Sequence, residues 1–369
     1  MKSLYFFNAN RFIDIPKQPD IQAWWSIYNN DVINSGIGFC DRTNLIKIPL
    51  RIKVPLVCQL PSYDSNFNMT YEECCQNSAR VLLSKQEKLG VPIKIMYSGG
   101  IDSTLILVSL IKEVGLDQIE KRVQVLMNND SIEENPWMWE RIIRPSNIPV
   151  FSSEAHQADW STDRILVSGE GNDQLFGSDI YKDMQKWKGE SILNSLWTED
   201  LIYEYFTQRK KMPENYARIW TKVMSSSLRA APCKVETMAD WWWWINFSCK
   251  FQTVYYRIIM AAKNTGSITQ NYMDDYFYQF FVTENHQRWS MIDRVHKHKG
   301  TQESYKYHAK ELICDFLGSK EYMMKGKRGS LSRIMRGKKK ISAIDENYRF
   351  IDNPLNVNDW YNEDNSFIE

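Results

Sequence analysis

Between Lys94 and Ile111 the chain reads KIMYSGGIDSTLILVSLI, two apolar runs joined through two glycines, an aspartate and the hydroxyls of Ser98, Ser103 and Thr104. The first run, Pro92 to Tyr97, predicts a short buried strand; the second predicts a helix that Gly115 ends. The same device returns in DRILVSGEGNDQLFG, where a strand over Arg164 to Val167 stops at a second glycine-rich acidic turn. Between the two, RVQVLM predicts another buried strand and NPWMWERII a helix with Pro136 near its start. Ahead of them, TYEECCQNSARVLLSKQEKLG predicts a helix opened by a Thr70–Glu73 capping box and closed at Gly90. Strand, turn and helix in alternation restrict the fold to α/β, a parallel sheet with helices on both faces.

Each glycine turn leaves a strand and enters a helix, so backbone N–H groups and a positive helix end converge on one spot. Such a spot attracts anions, and glycine lets the backbone approach phosphate oxygens closely. Asp102 is out of place beside a phosphate unless a divalent cation lies between them. A plainer reading makes the first stretch a tight turn in which Asp102 and Ser103 cap the helix. It is not a Walker loop, because the lysine of that motif is missing.

SGGIDS, Ser98 to Ser103, resembles the S-G-G-x-D-S pyrophosphate loop of the ATP pyrophosphatases, the family that includes asparagine, argininosuccinate, GMP and NAD synthetases. VSGEGNDQLFG, Val167 to Gly177, resembles the L-S-G-E-G-S-D-E-L-F-G-G motif of asparagine synthetases at Ser168, Gly169, Glu170, Gly171, Asp173, Leu175, Phe176 and Gly177. The resemblance spans roughly residues 70 to 330. It implies a PP-loop (HUP-type) sheet that binds ATP and cleaves it to AMP and pyrophosphate. Tyr97, Ser98, Gly99, Gly100, Asp102, Ser103, Thr104, Met127, Ser168 and Gly169 would hold the nucleotide, and Asp102 and Asp173 would share Mg2+. Glu170 would be the general base for an attacking nitrogen, where ring-closing relatives such as β-lactam synthetase carry tyrosine. KGKRGS, from Lys325, is similar to the R-x-K-x-G stretch of synthetase domains, which aligns Lys327 with a lysine that balances phosphate charge.

The implied reaction is ATP-dependent carbon–nitrogen ligation: a small-molecule carboxylate, aspartate among the candidates, is adenylated and takes ammonia or an amine. The chain departs from glutamine-dependent relatives, since Lys2 rather than cysteine follows Met1 and the N-terminal segment is short. We therefore expect no glutaminase domain, and free ammonia, an amine or a separate glutaminase as nitrogen source. Gln174 in place of an acidic residue, and Ser178-Asp179 in place of Gly-Tyr, alter the acceptor side more than the ATP side.

The expected organisation is a small β-rich or irregular segment over 1–68, the α/β core over 69–185, a helical acceptor-side region over 186–342 and an acidic polar tail over 343–369. Past Tyr181 the sequence shows no further strand signal. No run approaches the ~20 apolar residues of a membrane span, and the N-terminus lacks a secretory signal pattern. Seven cysteines without a C-x-x-C pair fit a reducing cytoplasm and argue against structural zinc.

Other features have plainer and sharper readings. Trp241 to Trp244 can pack a core or stack bases, with packing favoured because four in succession point all ways round a helix. His296 and His298 read as an exposed loop rather than a metal site, and Cys74-Cys75 as structural. Eight Lys or Arg residues from Lys325 to Lys340 can track nucleic acid, a reading the net charge of +1 does not favour. The alternatives to a ligase are an enzyme adenylating a nucleobase or modified nucleic acid, and a non-catalytic nucleotide-binding protein.

Overall fold

The strand before the first glycine turn pairs directly with the strand before the second. In a computed structural model, residues 2–7, 41–46, 52–53, 58–152, 160–177, 180–261, 268–292, 305–326, 342–345 and 350–351 are described. Their strands are β1 (Lys2–Phe7), β2 (Ile52–Lys53), β3 (Ile93–Met96), β4 (Val123–Met127), β5 (Val150–Ser152), β6 (Ile165–Ser168), β7 (Phe277–Gln279), β8 (Ser342–Asp345) and β9 (Phe350–Ile351). The chain divides into two compact units. One takes Asp64–Asn172 and Ala261–Lys339, the other Met1–Tyr63, Asp173–Met260 and Lys340–Glu369.

The first unit holds a five-stranded sheet in the order β5-β4-β3-β6-β7, every pair parallel. Ile93, Ile95, Val123, Val125, Ile165 and Val167 are wholly buried, the near-continuous apolar pattern of strands covered on both faces. The chain runs outward from β3 to β4 and β5, then returns to place β6 on the other side of β3. Ile93 pairs with Ile165 and Ile95 with Val167, so Met96 and Ser168 end side by side. Beyond the carboxyl ends of strands at such a reversal is the usual ligand position in open α/β sheets.

Helix α1 (Tyr71–Leu89) carries the predicted capping box and stops at Gly90, whose φ of 66° is left-handed. Helix α2 (Ile101–Val114) ends at Gly115, and α3 (Asn129–Glu134) follows β4. Pro136 opens a short helix that continues as a π-turn over Trp139–Ile143. Helix α4 (Asn172–Phe176) follows the second turn. Strand β7, like β8 and β9, lies beyond Tyr181 and was not expected. Its three residues show no periodicity, and it forms because Phe277 and Gln279 are buried against β6, in register Leu166 to Phe277.

In the second unit β1 pairs in parallel with β2 and antiparallel with β8, which pairs with β9. Helix α5 (Met238–Cys249) begins at a Thr237–Asp240 capping box, and every one of its residues is buried. All four tryptophans are core; a helix apolar all round has no solvent face. The indole N–H of Trp244 donates to the Ser227 carbonyl at 3.2 Å, and Trp241 packs edge-on against Trp242. Stacking of bases on an exposed tryptophan platform is thereby excluded for this helix. Cys74 and Cys75 are likewise buried, as free thiols of α1.

Candidate nucleotide site

The first turn occupies Tyr97 to Gly100. Gly99 has a φ of +74°, and a Cβ there would lie 2.2 Å from the Ser131 carbonyl oxygen of α3. Only glycine fits. Gly100 is the N-cap of α2, a 14-residue helix, and makes no side-chain cap bond to its first turn. The hydroxyls hold the turn in shape: the Ser98 N–H donates to Ser103 Oγ at 3.1 Å, and the Gly100 N–H to Ser98 Oγ at 3.3 Å. Thr104 Oγ1 accepts from Asn135 Nδ2 at 3.3 Å and lies 3.3 Å from the Tyr97 hydroxyl. Burial pushes the Tyr97 phenol above its ordinary value, so it stays protonated. Met127 is the last residue of β4 and is buried.

The second turn lies against the first. A Cβ on Gly169 would come within 3.0 Å of Asp102 Cβ, so glycine at 169 permits the contact. The Glu170 N–H donates to Ser168 Oγ at 3.1 Å, and the Glu170 side chain is half-buried. Asn172 Nδ2 then donates to Asp102 Oδ1 at 2.7 Å. Asp173, the next residue, is half-buried and begins the segment assigned to the other unit.

Helices α6 (Glu284–Ile292) and α7 (Tyr307–Leu317) belong to the C-terminal part of this unit. Lys306, immediately before α7, adopts a left-handed φ of 58° and is almost wholly buried. Its ammonium sits 2.5 Å from Asp102 Oδ1. Sequence reasoning missed Lys306, since one lysine ahead of a helix carries no pattern that distinguishes it from a surface residue. It is a non-glycine residue in a costly backbone conformation, the kind of strain that gathers at functional sites.

Lys327 and the basic run beyond it lie outside the described residues, as do His296 and His298. The chain leading to Lys327 is fixed. Lys310 donates to the carbonyls of Met323 and Lys325 at 2.8 and 2.9 Å, and burial lowers its ammonium to about 8. Lys325 in turn donates to the Glu134 carbonyl, at the end of the helix that packs on Gly99.

These residues suit a nucleotide phosphate and magnesium on three counts. Gly99 and Gly169 let the two turns pack tightly against α3 and Asp102, the N-cap Gly100 brings no side chain to the start of α2, and Asp102 offers a hard oxygen ligand. Among the described residues no group of three or more His, Cys, Asp or Glu gathers into a metal cage. Magnesium needs none, because it is commonly held by one or two carboxylates together with substrate phosphates. Compared with models of protein families the chain matches none, and no curated protein matches it.

Proposed function

We propose that this protein is an ATP-dependent ligase that adenylates a small-molecule carboxylate, releases pyrophosphate and transfers ammonia or an amine to form an amide. The observation that carries the reading is the pairing of β3 with β6 at the point where strand order reverses, so that SGGIDS and SGEGND end neighbouring strands. Backbone N–H groups of the first turn and the start of α2 would take the phosphates, with Ser98, Ser103 and Thr104 shaping the turn. Asp102 would be a ligand for magnesium, which when bound neutralises the charge that builds on the leaving pyrophosphate. Glu170 would take the proton of the attacking nitrogen. Lys306, and Lys327 by resemblance, would supply positive charge at the phosphates.

The test is incubation with ATP, magnesium, ammonia and a pool of amino acids, followed by mass spectrometry. A product lighter than its parent acid, as replacement of hydroxyl by the amino group of ammonia requires, formed together with AMP, is the expected result. A new adenylated or aminated nucleobase, from a parallel pool of nucleosides, would replace this reading with adenylation of a nucleic-acid component.

A further inference from the structure

Asp102 is gripped by more than the turn it belongs to. Its Oδ1 accepts from Asn172 Nδ2 at 2.7 Å, and Asn172 Oδ1 accepts from the Tyr71 hydroxyl at 2.6 Å. Asn172 is wholly buried and Tyr71 nearly so. Those two bonds fix the orientation of the Asn172 amide, because the same side chain must donate on one side and accept on the other. The Tyr71 ring is itself wedged, 4.8 Å from the Trp289 ring and 5.7 Å, edge-on, from His286 of α6. The second bond to Oδ1 comes from Lys306. Both bonds end on one carboxylate oxygen, and among the described residues no bond reaches Oδ2.

We propose that Tyr71 and Asn172 are positioning residues for Asp102, acting as a buried brace that locks its carboxylate with Oδ1 engaged and Oδ2 available as a metal ligand. The inference rests on the reading of the two turns as a nucleotide and magnesium site. The motif itself points to neither residue, since Asn172 stands where the resembled motif has serine and Tyr71 belongs to a helix outside both turns. A brace of this kind acts before any ligand arrives: it removes the rotamer freedom that a lone aspartate would lose on binding metal. Partners that orient a metal ligand commonly carry about 10–100-fold of the metal affinity. The alternative is that the chain of bonds only satisfies buried polar groups.

The two accounts separate in binding, without turnover. Mn2+ binding is followed by the loss of its free electron paramagnetic resonance signal, with protein saturated by α,β-methylene ATP, which cannot be split at that bond. Affinity for the analogue itself is measured separately in EDTA. Tyr71→Phe deletes one oxygen and keeps the ring between Trp289 and His286; Asn172→Leu removes the brace entirely and checks the trend if it folds. The expected result is Mn2+ affinity weakened roughly 10-fold or more in Tyr71→Phe, with affinity for the analogue in EDTA unchanged. Equal weakening of both affinities, or of neither, would overturn the brace and leave the network as packing. If wild-type protein bound neither the analogue nor Mn2+, the nucleotide-site reading would fall, and the inference with it.

Discussion

Lys306 Nζ lies 2.5 Å from Asp102 Oδ1, across 204 positions of sequence, and the lysine is almost fully buried while the aspartate is a quarter exposed. A charge sequestered from water needs its partner more than the exposed member does. Lys306→Met and Asp102→Asn therefore should not act independently. A double-mutant cycle read by urea denaturation is expected to give a coupling of about 1.5–3 kcal/mol, the range for hydrogen bonds to charged groups. Additive effects would show that the contact does not contribute to folding.

Gly99 and Gly100 are neighbours with opposite tolerance. Gly99 is left-handed and its absent Cβ would meet the Ser131 backbone at 2.2 Å, whereas a Cβ on Gly100 would meet only Ser98 Oγ, at 3.3 Å. Gly99→Ala is expected to lose more than ~1 kcal/mol of stability, and Gly100→Ala much less. Thermal unfolding of the two variants side by side decides it; equal melting temperatures would mean that α3 yields and the turn is not constrained as described.

The site was legible in the sequence where chemistry is local, and illegible where packing chose the residue. SGGIDS and SGEGND announce themselves because glycine, hydroxyl and carboxylate crowd into a few positions beside apolar runs. Thr70 and Glu73 announce the start of α1 for the same reason. Lys306 cannot be read this way: its contact with Asp102 is a buried, long-range approach that no spacing encodes. Tyr71 looks like any first-turn aromatic of an amphipathic helix until its hydroxyl is seen on Asn172. Strand β7 is three residues long, held by pairing with β6 rather than by a pattern of its own. The four tryptophans were ambiguous because a helix buried on every side reads as apolar in every direction.

Acid should destabilise the fold through His286. Burial lowers its imidazole from 6.5 to about 3, with Nδ1 2.8 Å from Thr283 Oγ1 and Nε2 3.6 Å from Cys75 Sγ. The unfolded chain binds this proton from about pH 6.5 downward and the folded chain only near 3, so stability falls as pH drops through that window. Chemical denaturation at intervals from pH 7 to pH 4 should show a shallower loss in His286→Asn than in the wild type. Parallel curves would mean that His286 is protonated within the fold.

Glu170 separates the two halves of the proposed reaction. Glu170→Gln should still exchange labelled pyrophosphate into ATP in the presence of the acceptor, since adenylation does not use its proton-accepting oxygen. Amide formation should fall by about 10²–10⁴-fold, the usual contribution of a general base. Loss of exchange as complete as loss of amide would move Glu170 from the nitrogen to the binding of ATP or acceptor.

The account stands or falls on which bond of ATP is cut. Phosphorus NMR of wild-type protein turning over ATP with magnesium, ammonia and the amino-acid pool reads this directly. The resemblance of SGGIDS to a pyrophosphate loop predicts AMP and pyrophosphate in equal amounts. The appearance of ADP and inorganic phosphate instead would contradict it.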